Sequence, residues 1–191
     1  RLRRKNRARR GLLPSVIKTL IGEPAPADRL ARVAEEQLGP LRDQAAIALE
    51  YSFDNAAAAI RAKVPESERR LREAKLRLRT GDEGLLAPLA EAHEALAILA
   101  ARLSRFATEL ESSLTDETQD ALGGKIHEVR ALGRRLASGA SSLKSFLKPF
   151  DTTEQVRWVE VSRDRRGRDH LKLRAAPLDV GPMLRRALFE R

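Results

Sequence analysis

The sequence predicts a mainly α protein: a helical bundle built around a long helical hairpin, then a β-hairpin and a short C-terminal helix. Three observations carry this. Leu85, Leu89, Ala92, Leu96, Leu99, Leu103, Phe106 and Leu110 alternate steps of four and three, an apolar seam more than three heptads long. A second stripe comes after a short polar connection, at Leu122, Ile126, Val129, Leu132, Leu136, Leu143, Leu147 and Phe150. Beyond Pro149 the period drops to two, the spacing of a half-buried strand.

In chain order, "RLRRKNRARR" (1–10) is a basic arm and "GLLPSVIKTLIG" (11–22) a short amphipathic helix. Pro14 falls in its first turn, where a missing N–H costs little. "GEPAPAD" (22–28) breaks it, and Asp28 is placed to cap the next helix. From 29 to 63, Leu30, Val33, Leu38, Leu41, Ala45, Leu49, Phe53, Ala56 and Ile60 recur at helical spacing. Gly39-Pro40 is expected to kink that helix or split it. "VPESERRLREAKLRLR" (64–79) is expected to open another helix with Pro65 in its first turn, and "TGDEG" (80–84) to close it with a turn.

The seam then begins in earnest near Ala87, behind Pro88. "SSLTD" (112–116) separates it from the last long helix, with Asp116 as cap and Gln119 as capping partner. Gly123-Gly124, Gly133 and Gly139 either weaken that helix or permit close approach of a neighbour. Matching stripes and a short loop make the pair an antiparallel helical hairpin.

In "EQVRWVEVS" (154–162), Val156, Trp158 and Glu160 share one face and Arg157, Val159 and Val161 the other. "RDRRGRD" (163–169) is a polar turn containing Gly167, and "HLKLRAAPL" (170–178) alternates again, with Leu171, Leu173 and Ala175 on one side. An isolated two-stranded ribbon is marginal in water. The ribbon and the terminal helix are therefore expected to dock on a body outside this chain. The first residue, Arg1, is not a Met, which also suggests a piece of something longer.

Charge is unevenly spread. The net charge is +10, of which residues 1–22 hold +8 and residues 157–174 hold +4, while 23–156 sum to −3. A near-neutral middle with positive ends attracts phosphate. The competing reading is a solvated arm and an exposed turn.

Much chemistry is excluded from the chain itself. It has no cysteine, hence no disulfide, thiolate zinc or iron–sulfur cluster of its own. It has no Walker-type phosphate loop and no Gly-rich dinucleotide fingerprint. His93, His127 and His170 lack a second ligand at metal spacing and read as surface, interface or structural residues. "SGASS" (138–142) lies in a helical pattern with no base beside it, and the carboxylates of 82–94 suit a solvated helix face. Among the aromatics weighed as base-stacking platforms with Tyr51, Phe53 reads as core and Trp158 as core or interface. No apolar run nears the ~20 residues of a membrane helix, and no secretory signal is visible, so a soluble cytoplasmic protein with no membrane partner is the expectation.

The stretch "VRWVEVSRDRRGRDHLKLRAAPLDVGPMLRRALFE" (156–190) resembles the segment that closes a helical insertion in the DinG/XPD-like superfamily 2 helicases. The matching features are the Trp-centred strand Val156–Val161, the basic turn 163–169 and the second strand Leu171–Leu173. Ala176-Pro177-Leu178-Asp179-Val180 and the helix Leu184–Phe189 come next in the same order; "RRGLLP" (9–14) adds a little. Across 1–150 the likeness is loose. The resemblance implies that 1–22 is a basic arm and short helix, 23–150 the arch-like helical domain, and 151–191 the re-entry into the first RecA-like motor domain. It implies a parent that hydrolyses ATP with Mg²⁺ and moves along single-stranded DNA, the remaining helicase domains being this chain's partners. The phosphate-binding Lys, the metal-binding Asp-Glu pair and the arginine finger of that family have no counterparts here, so no catalytic residue, metal ligand or cofactor is assigned to the chain. Any iron–sulfur domain of such a parent would lie upstream.

The residues expected to contact phosphate are Arg3, Arg4, Lys5, Arg7, Arg9 and Arg10, then Arg163, Arg165, Arg166 and Arg168. Two other functions fit the same residues: a helical module that recruits a partner helix, and a small basic DNA-binding protein with no motor.

Overall fold

The computed structural model describes residues 32–69, 73–114, 116–149, 154–165, 167–179 and 181, without the side chains of 68, 69, 116–119 and 121. The basic arm, the helix expected at 11–22, the Asp28 cap, Arg166 and the terminal helix lie outside the described residues, as does the Asp116 side chain expected to cap. The described fold is mainly α with one antiparallel sheet.

The helices are α1 (Gly39–Lys63), α2 (Glu66–Arg69), α3 (Leu89–Glu111) and α4 (Asp116–Leu147). The strands are β1 (Glu73–Arg77), β2 (Gln155–Arg163) and β3 (Asp169–Pro177). The chain divides into two compact units. One holds residues up to 48 with 93–141; the other holds 49–92 with the residues from 142 onward.

The first unit is helical. In it α3 and α4 run antiparallel: His93 Nδ1 lies 3.0 Å from the Ala140 carbonyl at one end, and Arg130 pairs with Glu111 at the other. Midway, a Cβ on Gly133 would stand 3.2 Å from Ser104 Oγ, so only this glycine of the α4 set marks a close approach; Gly123, Gly124 and Gly139 face open space. Ala34, Leu38 and Ala45 close the core over Leu99, Leu103, Phe106, Leu110, Leu122, Ile126 and Val129, and Gln37 bonds Arg102 beside it. Phe106, Leu103, Leu110, Leu122 and Val129 are almost wholly buried, so the seam read from the sequence is the core. The Gly39-Pro40 break does not split the helix, which runs on through it. Pro40 has no N–H for the carbonyl four residues back. The chain passes it through one wide, π-type turn, Val33–Leu38, in which the Gly39 N–H reaches the Ala34 carbonyl.

The second unit holds the sheet, in the order β1-β2-β3. Here two expectations are overturned. The helix expected over 64–79 ends after one turn, α2, and residues 73–77 form a strand. That strand pairs antiparallel with β2, Leu76 opposite Val159 and Arg77 opposite Trp158. The ribbon is thus not a lone two-stranded piece awaiting a partner from elsewhere; its third strand is supplied within the chain. Glu, Ala, Lys, Leu and Arg are good helix formers, but pairing and burial decide the outcome, as they do for short segments.

The sheet's inner face carries Ala74, Val159 and Val161, all buried, with Leu76, Leu171 and Leu173 half-buried. Ile60, Val64, Leu78, Leu86 and Leu89 are also buried in this unit. The "TGDEG" turn forms as expected: Gly81 takes φ +94°, Arg79 N–H donates to Asp82 Oδ2 at 2.9 Å, and Gly81 N–H to Glu83 Oε2 at 2.8 Å.

One charged residue of the inner face, Arg157, is buried. Arg157 is 7% exposed; its Nη1 donates to the Phe146 carbonyl at 3.3 Å and the Lys148 carbonyl at 3.0 Å, and its guanidinium carbon lies 5.4 Å from the Phe146 ring centre. The final carbonyls of a helix have no intrahelical donor, and Arg157 supplies one at the end of α4. Burial lowers its pKa from the ordinary guanidinium range, and the charge of Glu83 opposes that shift.

Candidate nucleic-acid interface

The β2–β3 turn, where four arginines were expected to meet phosphate, is organised by two aspartates. Asp164 closes the turn: its N–H donates to the Arg168 carbonyl at 2.9 Å, and its Oδ1 accepts the Arg168 N–H at 2.9 Å. Gly167, at φ +80°, supplies the left-handed residue the turn requires. His170 Nε2 lies 3.4 Å from Asp164 Oδ2, a structural placement.

Asp169 holds two arginines at once. Arg61 of α1 donates through Nε and Nη2, both at 2.9 Å, and Arg163 through Nε at 3.0 Å and Nη2 at 3.2 Å. Burial alone would raise the Asp169 carboxyl. The bonds from Arg163 and Arg61, with their charges, outweigh it and hold the carboxyl below its usual range. Arg163 is raised in turn, chiefly by its bond to Asp169. Of the turn arginines, then, all of those described are exposed, and Arg163 is engaged by Asp169, which also holds Arg61 of α1. Arg166 and the arm residues Arg3, Arg4, Lys5, Arg7, Arg9 and Arg10 lie outside the described residues.

The denser basic surface is one that the charge pattern of the sequence does not mark. Residues directly opposite in an antiparallel sheet share a face, so the outer face is read from the register in rows. Arg77, Trp158 and Arg174 form one row, Lys75, Glu160 and Lys172 the next, and Glu73, Ser162 and His170 the third. Lys75, Arg77, Lys172 and Arg174 are exposed, and Trp158 is half-buried. Trp158 is therefore not a core residue but the centre of an open basic face.

Glu160 ties this face together. Its Oε1 accepts the Trp158 Nε1–H at 3.1 Å and lies 3.7 Å from Lys75 Nζ. Its carboxyl sits below the ordinary range, first because of the Trp158 bond, with burial opposing and the charges of Lys75, Arg174 and Lys172 assisting. The signal in the sequence was the strict alternation of "EAKLRLR" (73–79), charge then apolar residue, which is strand spacing.

Tyr51 is exposed on α1 and Phe53 half-buried, so Phe53 is not the core residue expected. His127 is exposed. No group of three or more His, Asp or Glu suited to a metal occurs among the described residues, and none of their helices is long and apolar enough to cross a membrane. No family model, curated protein or solved structure matches the chain.

Proposed function

We propose that this chain is the arch-like insertion of a DinG/XPD-like ATP-dependent DNA helicase, and that it guides single-stranded DNA past the motor. The helicase assignment rests on the resemblance of residues 156–190. The DNA assignment rests on one observation: exposed basic residues gather on the sheet unit, at Lys75, Arg77, Lys172 and Arg174 and at the turn residues Arg165 and Arg168. The helical seam supplies shape; the basic residues supply phosphate attraction without reading sequence. ATP and Mg²⁺ do not fit the residues present, which include no phosphate loop and no Asp-Glu metal pair at Walker spacing. Nucleotide chemistry belongs to other domains of such a parent, and none of its steps is assigned here.

The test has two parts. The chain should bind fluorescein-labelled dT20 by anisotropy at 50 mM salt. For about six phosphate contacts the affinity should fall roughly two to three orders of magnitude by 200 mM. Replacing Arg3, Arg4, Lys5, Arg7, Arg9 and Arg10 together with Ala should weaken binding and flatten that salt slope; unchanged affinity removes the arm from the interface. For the motor assignment, the gene should encode a phosphate-binding loop upstream of this segment and a second RecA-like domain downstream. Flanking sequence with neither contradicts it.

A further inference from the structure

We propose that the outer face of the sheet is itself the single-strand contact, with Trp158 as the platform on which a base stacks and Arg77 and Arg174 as phosphate contacts on either side. This rests on the DNA reading above and deepens it by naming the site.

Position carries the first part of the argument. Trp158 lies in the central strand, flanked across the sheet by Arg77 on β1 and Arg174 on β3. The next row along, about 6.7 Å away at two residues per step, places Lys75 and Lys172 on either side of Glu160. An aromatic ring within a basic frame is what a non-specific single-strand site requires: bases stack on the ring while cations follow the backbone.

The indole's polar atom carries the second part. Trp has one donor, and here it is spent on Glu160. That bond fixes the ring and leaves only its π surface for a ligand, so the contact tolerates any base. Glu160 offsets one cation, Lys75, whose Nζ lies 3.7 Å from it, and the face stays net positive. Over the three rows, four cations face two carboxylates, Glu73 and Glu160.

Charge selects the occupant. A basic face centred on an aromatic ring complements an anionic polymer of flat bases; its apolar part is confined to the neighbouring row, Val156 and Ala176. The charges held by internal partners, Arg61, Arg157 and Arg163, lie off this face.

Trp158 is the only tryptophan of the chain, so its fluorescence reports this face alone. The full chain is titrated with dT15 at low salt while anisotropy of a labelled copy is followed in parallel. Expected is quenching that tracks anisotropy and is lost with it at high salt. Trp158→Leu should weaken binding on the order of ten-fold or more. The double variant R77A/R174A alters only exposed side chains and keeps the reporter; it should shift the quenching midpoint to higher dT15. Binding by anisotropy with unchanged fluorescence overturns this site and leaves the DNA reading standing. No binding at low salt overturns both. Equal quenching by polyglutamate, or clear preference for rU15 over dT15, overturns the assignment of DNA as the occupant.

Discussion

The helical unit and the sheet unit solve stability in opposite ways. In the helical unit the core is aliphatic, with Phe106 at its centre, and charge stays at the rim, as in Arg130–Glu111. In the sheet unit charge is built into the structure. Arg157 is buried against the end of α4, and Asp169 binds Arg61 and Arg163 together. The first arrangement rests on non-directional burial. The second rests on directional bonds that fix where the ribbon and its neighbours sit, at the expense of desolvating ions. What the sheet unit gains is placement: β2 and β3 are held so that one face stays open, with Trp158 and its basic neighbours on it.

The contrast is broken most severely at the helical core. Phe106→Ala should cost about 3–5 kcal/mol, read as a lower urea midpoint. Trp158→Leu, an aromatic truncation of the open face, should cost no more than about 1 kcal/mol. Comparable losses at both positions would mean that Trp158 is a packing residue after all. Next comes Arg157→Ala, which leaves the Phe146 and Lys148 carbonyls without their donor. A loss of about 2 kcal/mol is expected, with faster amide exchange in the last turn of α4; a neutral result would remove the capping role.

The smallest effect sharpens the comparison through pH. The Asp169 carboxyl is depressed in the folded chain. Its contribution is therefore present above the unfolded value of about 3.9 and lost as pH falls through the folded value. Asp169→Asn should lower stability at neutral pH and flatten the decline in acid below about pH 4. An unchanged acid profile would show that the double arginine contact carries no net stability.

The helical unit was legible because its signal is long. Its share of the seam, Leu96, Leu99, Leu103, Phe106 and Leu110, keeps one face through alternating steps of three and four, and the two helices end where the intervening polar segment says they should. The ribbon was legible too, faces and turn included, because Val156–Ser162 alternates without interruption. The strand β1 was not. Five residues drawn from Glu, Ala, Lys, Leu and Arg favour a helix locally, and what makes them a strand is β2, some eighty positions further on. Missing β1 hid the site, since Lys75 and Arg77 are half of its cations and pairing with β1 leaves Trp158 facing outward at the centre of a sheet. Sequence charge alone pointed to the turn arginines, one of which, Arg163, is already occupied by Asp169.

The most direct measurement is the indole N–H resonance of ¹⁵N-labelled chain. One tryptophan gives one such peak. On adding dT15 at low salt it should shift progressively and saturate at the same oligonucleotide concentration as anisotropy. A peak that stays in place while the chain is saturated with DNA would contradict a base stacked on Trp158.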